Sequence, residues 1–286
     1  MKIVENRDIC GIILQSMYKL ERRFMEKFKA RVHTFYGYRD LFHELVSKDI
    51  KLKYRRSFLG YLWSILNPLL IMCIMVLVFS HMFRFDIENY PVYLIIGQTI
   101  FNFFSEATNR SMWAILGNAP LLKKVYVPKY IFTLSTVTSA CVNMIFSLGA
   151  MAIVFIICHV NLSPWMLLIP IILIQVYIFS LGMGMFLSAA AVFFRDIQYI
   201  WTAVMTAWMY VTPIFYPIQQ LPVELQRCIK HLNPMYSYIQ QFRTIILECT
   251  YPDPRLVLYG FVVAFAMVGL GTWFFFKSQD KFILYI

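Results

Sequence analysis

The chain is short of charge. Asp, Glu, Lys and Arg together make up 14% of its 286 residues, where a soluble domain carries about 25%. Hydrophobic residues make up 60%. This balance describes an integral membrane protein with several spans and no room for a large soluble domain beside them. Charge is scarcest at the centres of the apolar runs. Glu106 lies near one edge, and Arg195-Asp196 fall in a break between two runs. A proton- or sodium-driven carrier normally holds a carboxylate inside the membrane. Its absence points to an outside energy source or to an anchoring role. No internal repeat is visible, so the inverted-repeat carriers are not supported.

Other absences narrow the chemistry. There is no Gly-x-x-x-x-Gly-Lys-Ser/Thr loop, hence no standard site for ATP. There is no His-Glu-x-x-His, no Gly-x-Ser-x-Gly and no plausible Ser/His/Asp set, so no catalytic residue is assigned. His33, His43, His81, His159 and His231 are isolated and flank predicted membrane edges. The cysteines (Cys10, Cys73, Cys141, Cys158, Cys228 and Cys249) show no metal-ligand spacing, so neither a metal nor a cofactor is expected in this chain. Cys228 and Cys249 share one segment placed outside, where a disulfide is allowed and free thiols are the simpler reading. The N-terminus has no early apolar core and no small-residue cleavage site, so no cleavable signal peptide is expected.

What charge there is has a pattern. The net charge is +11, and residues 1–56 hold fourteen of the 26 Lys and Arg against seven acids. Placed just before a long apolar run, this basic block reads as a cytoplasmic membrane-surface signature rather than a nucleic-acid footprint. Residues 1–37 are basic and partly amphipathic. Residues 39–53 predict a helix with Leu41, Phe42, Leu45, Val46 and Ile50 on one face and Asp40, Glu44, Lys48, Asp49 and Lys51 on the other. It is too polar to span and is expected in the membrane interface, although a helix packed on soluble protein would share the pattern.

The fold class expected is all-α and integral to the membrane, with six transmembrane helices at about 58–83, 91–107, 131–158, 165–193, 197–216 and 256–276. The domain plan is an interfacial region 1–57, a transmembrane domain 58–276 containing an external segment 217–254, and a tail 277–286. The span at 91–107 is the weakest, because Glu106 and Asn109-Arg110 interrupt it. Residues 109–130 read as a mixed basic loop. With both termini cytoplasmic, the inner segments carry 21 basic residues and the outer ones five; the reverse orientation inverts that bias.

Aromatic residues reach 17%. An interfacial belt accounts for Trp165 and Trp273. Trp208 and Tyr210 lie deeper than belts reach. Core packing and a surface on which sugar rings stack and slide both fit them.

A family resemblance rests on an ordered set of motifs. Tyr54-Arg55-Arg56-Ser57-Phe58-Leu59-Gly60-Tyr61-Leu62-Trp63, followed by Leu66-Asn67-Pro68-Leu69, resembles the first-span signature of type-2 ABC exporter permeases. The branch is the one that exports lipid-linked polysaccharides: O-antigen, capsule and teichoic acid. Phe193-Phe194-Arg195-Asp196-Ile197, Thr212-Pro213-Ile214-Phe215-Tyr216-Pro217, Asn233-Pro234-Met235 with Arg243, and Lys123-Lys124-Val125-Tyr126-Val127-Pro128 resemble its later landmarks, in order from about residue 39 to the C-terminus.

The resemblance implies a transport subunit rather than an enzyme, in a bacterial cell membrane. Two copies would pair as a homodimer, with two ABC ATPase subunits docked below that carry the ATP and Mg. A lipid-linked polysaccharide would pass a surface lined by Tyr61, Trp63, Asn67, Tyr199, Trp201, Trp208, Tyr210, Phe215 and Tyr216. Arg55, Arg56 and Arg195 would receive the diphosphate of the lipid carrier, although positive-inside anchoring explains the first two equally and an ion pair with Asp196 explains the third. Asn109, Arg110, Asn118, Leu121, Lys123 and Lys124 would transmit ATPase closure. Met235, Tyr238 and Phe242, at helical spacing, would belong to short external gate helices whose apolar face returns toward the membrane. Two other readings stay open: an ABC permease for drugs or small lipids, and a membrane-embedded enzyme of lipid-linked glycan assembly. The latter needs clustered acids at the membrane face, for which only Asp49, Glu106 and Asp196 are candidates.

Overall fold

The fold is described from a computed structural model, which covers residues 36–54, 60–82, 87, 89–161 and 163–286. Residues 1–35, Arg55, Arg56 and the Tyr61 side chain lie outside the described residues, as do the expectations attached to them. The chain divides into two compact units, residues 1–44 and 45–286. Every described regular element is helical.

Long apolar runs make the framework. Three helical segments, Tyr130–Ile157, Pro164–Phe193 and Pro254–Tyr285, are long and apolar enough to cross a membrane, and Trp63–Phe79 is a shorter apolar helix. The α-helices are, in chain order, α1 (Arg39–Tyr54), α2 (Trp63–Met82), α3 (Tyr90–Ala114), α4 (Ala119–Leu122), α5 (Tyr130–Ile157), α6 (Ile169–Phe193), α7 (Ile197–Val211), α8 (Val223–Leu232), α9 (Pro234–Ile246), α10 (Pro254–Ser278) and α11 (Phe282–Tyr285). Their starts follow local chemistry. Asn233 and Asp253 accept from the backbone N–H groups of Met235 and Tyr236, and of Arg255, each just ahead of a proline in the first turn.

In the second unit α3 is central. It packs most extensively on α5 and α6, and also meets α2, α7 and α9. Leu94, Ile95, Ile96, Ile100, Phe104 and Ala107 are buried there, so α3 is apolar around most of its girth, as a helix enclosed by others must be. The closest packing joins α6 and α10. A Cβ on Gly182 would run into the backbone of Met267 and Val268, and one on Gly271 into the carbonyl of Gly182. Small residues let two membrane helices approach in this way.

Two helices end differently from the sequence expectation. First, α3 does not stop near Ala107 but continues to Ala114, because its polar residues find partners on other elements. Secondly, α7 stops at Val211. Residues 212–217, read as the end of a span, are non-helical; Pro213 lacks the N–H needed to continue the ladder and disfavours a helical residue before it. In α9, whose helical spacing announces an apolar face, Met235, Tyr238 and Phe242 are at most 1% exposed and belong to the main hydrophobic core. Their apolar face returns into the bundle.

Candidate functional site

Two polar arrangements and one exposed face stand out from the apolar bundle. The first arrangement surrounds the stretch that follows α7. Arg243 of α9 is 3% exposed. Its Nη1 donates to the carbonyl of Pro213 (2.8 Å), and its Nη2 donates to those of Ile214 (3.1 Å) and Tyr93 (3.1 Å). The guanidinium also lies over the Tyr93 ring. The Tyr93 hydroxyl donates to the carbonyl of Tyr216 (2.8 Å), and Tyr90 donates to that of Phe215 (2.8 Å). Burial lowers the Arg243 guanidinium to about 10, opposed by the neighbouring tyrosines, so it stays protonated at neutral pH. A buried cation surrounded by carbonyls satisfies a backbone stretch that has no helix to do so.

Asn233 completes the clasp. Its Oδ1 accepts from Trp208 Nε1 (2.9 Å), and its Nδ2 donates to Thr212 Oγ1 (2.9 Å). The Thr212–Tyr216 stretch, α3 and the start of α9 are therefore one hydrogen-bonded unit. The sequence motifs at 212–217 and 233–235 marked these segments, but not that Arg243 joins them; a charge in a predicted external segment gives no sign of burial.

The second arrangement lies where α1 meets α3 and α5. Glu106 Oε1 accepts from Lys53 Nζ (2.9 Å) and Asn143 Nδ2 (2.8 Å), and pairs with Arg110 one turn on (3.4 Å). Arg110 Nη2 reaches Asp49 Oδ2 at 2.8 Å. Two cations and two carboxylates thus cancel within one partly shielded cluster, which explains why α3 tolerates this polar stretch. Beside it is a cavity of about 560 Å³ lined by Lys53, Trp63, Ser64, Asn67, Asn102 and Glu106, with further residues of α2, α3 and α5. Asp196 is exposed in the α6–α7 elbow and takes part in none of these ion pairs. Among the described residues no three metal-ligating side chains gather.

The exposed face belongs to α7. Tyr199 and Tyr210 are 71% and 60% exposed, and Thr202, Ala203 and Thr206 between them are exposed as well. Trp201 and Phe215 instead turn inward and are buried. Trp201 Nε1 donates to Thr108 Oγ1 (3.2 Å), and Phe215 stacks on Phe79. Trp208 is half-buried against Phe104. With Tyr210 and Tyr216 it lines a separate apolar groove of about 660 Å³ between α7 and α8. Trp63 and Asn67 open into the α2–α3–α5 cavity, so these two sets of expected passage residues line different cavities of this chain.

The remaining expected residues fall as follows. Arg195 is exposed in the α6–α7 elbow and forms no ion pair with Asp196. Asn109 donates to Ser105 within α3, and Asn118 to the carbonyl of Ala114. Leu121 sits in α4, and Lys123, Lys124 and Tyr126 follow it, exposed. Cys228 and Cys249 are free thiols.

Helices long and apolar enough to cross a membrane make this an α-helical membrane domain in class. The chain belongs to the ABC-2 type transporter family, whose model matches residues 40–247. It is 31% identical over 253 residues to the O-antigen export system permease protein RfbA of Myxococcus xanthus, a match covering 88% of this chain and 97% of that one. It is 30% identical to the RfbA permease of Klebsiella pneumoniae, over 81% of this chain and 90% of that one. The capsule polysaccharide export inner-membrane protein CtrC of Neisseria meningitidis is 25% identical, over 75% of this chain and 83% of that protein.

Proposed function

We propose that this chain is the membrane subunit of an ATP-driven exporter that moves a lipid-linked polysaccharide out of the cytoplasm. The observation that carries the reading is its similarity, over almost their whole length, to permeases named for O-antigen export. ATP hydrolysis falls to a separate ATPase, present in two copies, because this sequence has no nucleotide-binding loop. The 3-10 turn Leu116–Asn118, α4 and the exposed Lys123, Lys124, Val125 and Tyr126 connect α3 to α5 and are suited to receive it.

Six spans follow if α2, α3 and α7 join the three long apolar helices in crossing the membrane. The bias of basic residues supports both termini inside. Two copies pair so that the exposed α7 face and α2 border the passage. Tyr199 and Tyr210 offer ring faces to sugars, Thr202 and Thr206 lie between them, Trp63 and Asn67 contribute from α2, and Tyr61 belongs to the turn just before it. Trp201 and Phe215 then act as internal supports, and Trp208 and Tyr216 border the groove beside the face. Arg55, Arg56 and Arg195 would meet the diphosphate at the inner mouth. The clasp made by Arg243, Tyr93 and Asn233 fixes the outer end of α7, so that α8 and α9 move with it as a gate.

Purification of the tagged chain from its own cells, without crosslinking, tests the reading. An ABC ATPase is expected to copurify in equal amount. A chain that moves substrate with no such partner would overturn it.

A further inference from the structure

The α2–α3–α5 cavity holds more polar chemistry than a helix bundle needs. Asn67 and Asn102 are exposed and have no hydrogen-bond partner among the described residues, and both line this cavity. A bare amide facing hydrocarbon is costly, so the space they share is one that water or a polar ligand fills. Ser105, Asn143 and Ser147 extend the polar lining, and Trp63 adds an aromatic side chain. All three contacts to Glu106 are made by Oε1; Oε2 takes none of them. A volume of about 560 Å³ suits a small-molecule site, where such volumes run from about 300 to 1,000 Å³.

The charges decide which part of a lipid-linked glycan fits. Lys53 is the cation lining the cavity, and it is already paired with Glu106 at 2.9 Å. Among the described lining residues, a diphosphate brought here would face the Glu106 carboxylate and meet only this committed cation. A neutral sugar ring meets amides that donate and accept, an acceptor oxygen and an aromatic face, which are the groups that bind hydroxyls and ring C–H edges. We propose that this cavity is a binding site for a neutral sugar residue of the transported glycolipid, with Asn67, Asn102 and Glu106 binding its hydroxyls and Trp63 facing the ring. This rests on the proposed export of a lipid-linked glycan, and it separates recognition of sugar from that of phosphate.

The test uses the full-length chain with its ATPase in lipid nanodiscs. Two probes are compared by direct binding: a polyprenyl diphosphate carrying a neutral disaccharide, and the same polyprenyl diphosphate without sugar. The unaltered complex is expected to prefer the glycosylated probe at least tenfold. Asn67→Leu with Asn102→Leu, and separately the cavity-filling Asn102→Trp, are expected to abolish that preference. Both sites are exposed and unpartnered, and thermal unfolding midpoints within about 2 °C of the unaltered protein's establish that the variants fold. A preference that survives both substitutions overturns the sugar site while leaving export intact. Equal binding of both probes by the unaltered complex overturns it likewise. Binding of neither probe defeats the export reading itself, and the sugar site with it.

Discussion

The Arg243 guanidinium lies 3.3 Å from the centroid of the Tyr93 ring, and its nitrogens hold the carbonyls of Tyr93, Pro213 and Ile214. One side chain of α9 thereby joins the start of α3 to the non-helical stretch after α7. Gly97 sits against this joint, where an added Cβ would meet Arg243 Nη2 at 3.1 Å and Ile214 Cγ2 at 3.0 Å.

Replacing that side chain should loosen the joint between α3, α9 and the stretch after α7. Arg243→Leu takes a charged donor from three carbonyls, of which that of Pro213 keeps only the longer Tyr93 hydroxyl bond (3.2 Å), and is expected to cost about 3 kcal/mol, read as a lowered thermal midpoint of the purified complex. Arg243→Lys should recover less than half of the loss, since a single ammonium does not reproduce the planar fork. Equal stability of Arg243→Leu and the unaltered protein would contradict the clasp.

The α6–α10 contact makes a paired prediction. Gly271→Ala drives a Cβ into the Gly182 carbonyl, whereas Gly269→Ala, two residues away, meets nothing within 4 Å. The first is expected to cost about 1–3 kcal/mol through forced backbone movement and to reduce accumulation in the membrane. The second should match the unaltered level by immunoblot.

The cluster beside α1 predicts a charge-swap rescue. Asp49→Arg and Arg110→Asp should each destabilise the protein, and the double exchange should restore part of the loss. With side chains 26% and 32% exposed, the coupling from a double-mutant cycle is expected to be about 1 kcal/mol. Strict additivity would mean that this pair does not hold α1 to α3.

The aromatics of α7 should separate into two groups. Tyr199→Ala and Tyr210→Ala are expected to lower glycan export at least tenfold with little change in stability, since both rings are exposed. Trp201→Ala should act through folding, at about 3–5 kcal/mol, because it empties a buried site and removes the donor to Thr108. Export measured beside thermal unfolding distinguishes the two.

The long apolar helices α5, α6 and α10 were legible in the sequence because a continuous apolar run needs no knowledge of partners. The helical spacing of Met235, Tyr238, Ile239, Phe242 and Ile246 also announced a buried face. The extension of α3 past Glu106 was not legible, because Lys53, Asp49 and Asn143, which neutralise or bind its polar residues, lie 37 to 61 positions away. Arg243 was named among the family landmarks and counted with the external charges, but its burial was not legible for the same reason: its partners are backbone carbonyls, which leave no mark on composition. Among the aromatics, the sequence marked a rich segment but not which side each ring takes. Trp201 and Tyr199 are two residues apart and face opposite environments.

The most direct test of the account is to delete the gene in its own host and follow the glycan. Export through this chain predicts that the surface polysaccharide disappears while its lipid-linked form accumulates inside the cell, and that the intact gene restores the surface layer. A surface polysaccharide that persists after deletion, or a lipid-linked glycan that is no longer made at all, would contradict it; the latter would assign the chain to glycan assembly.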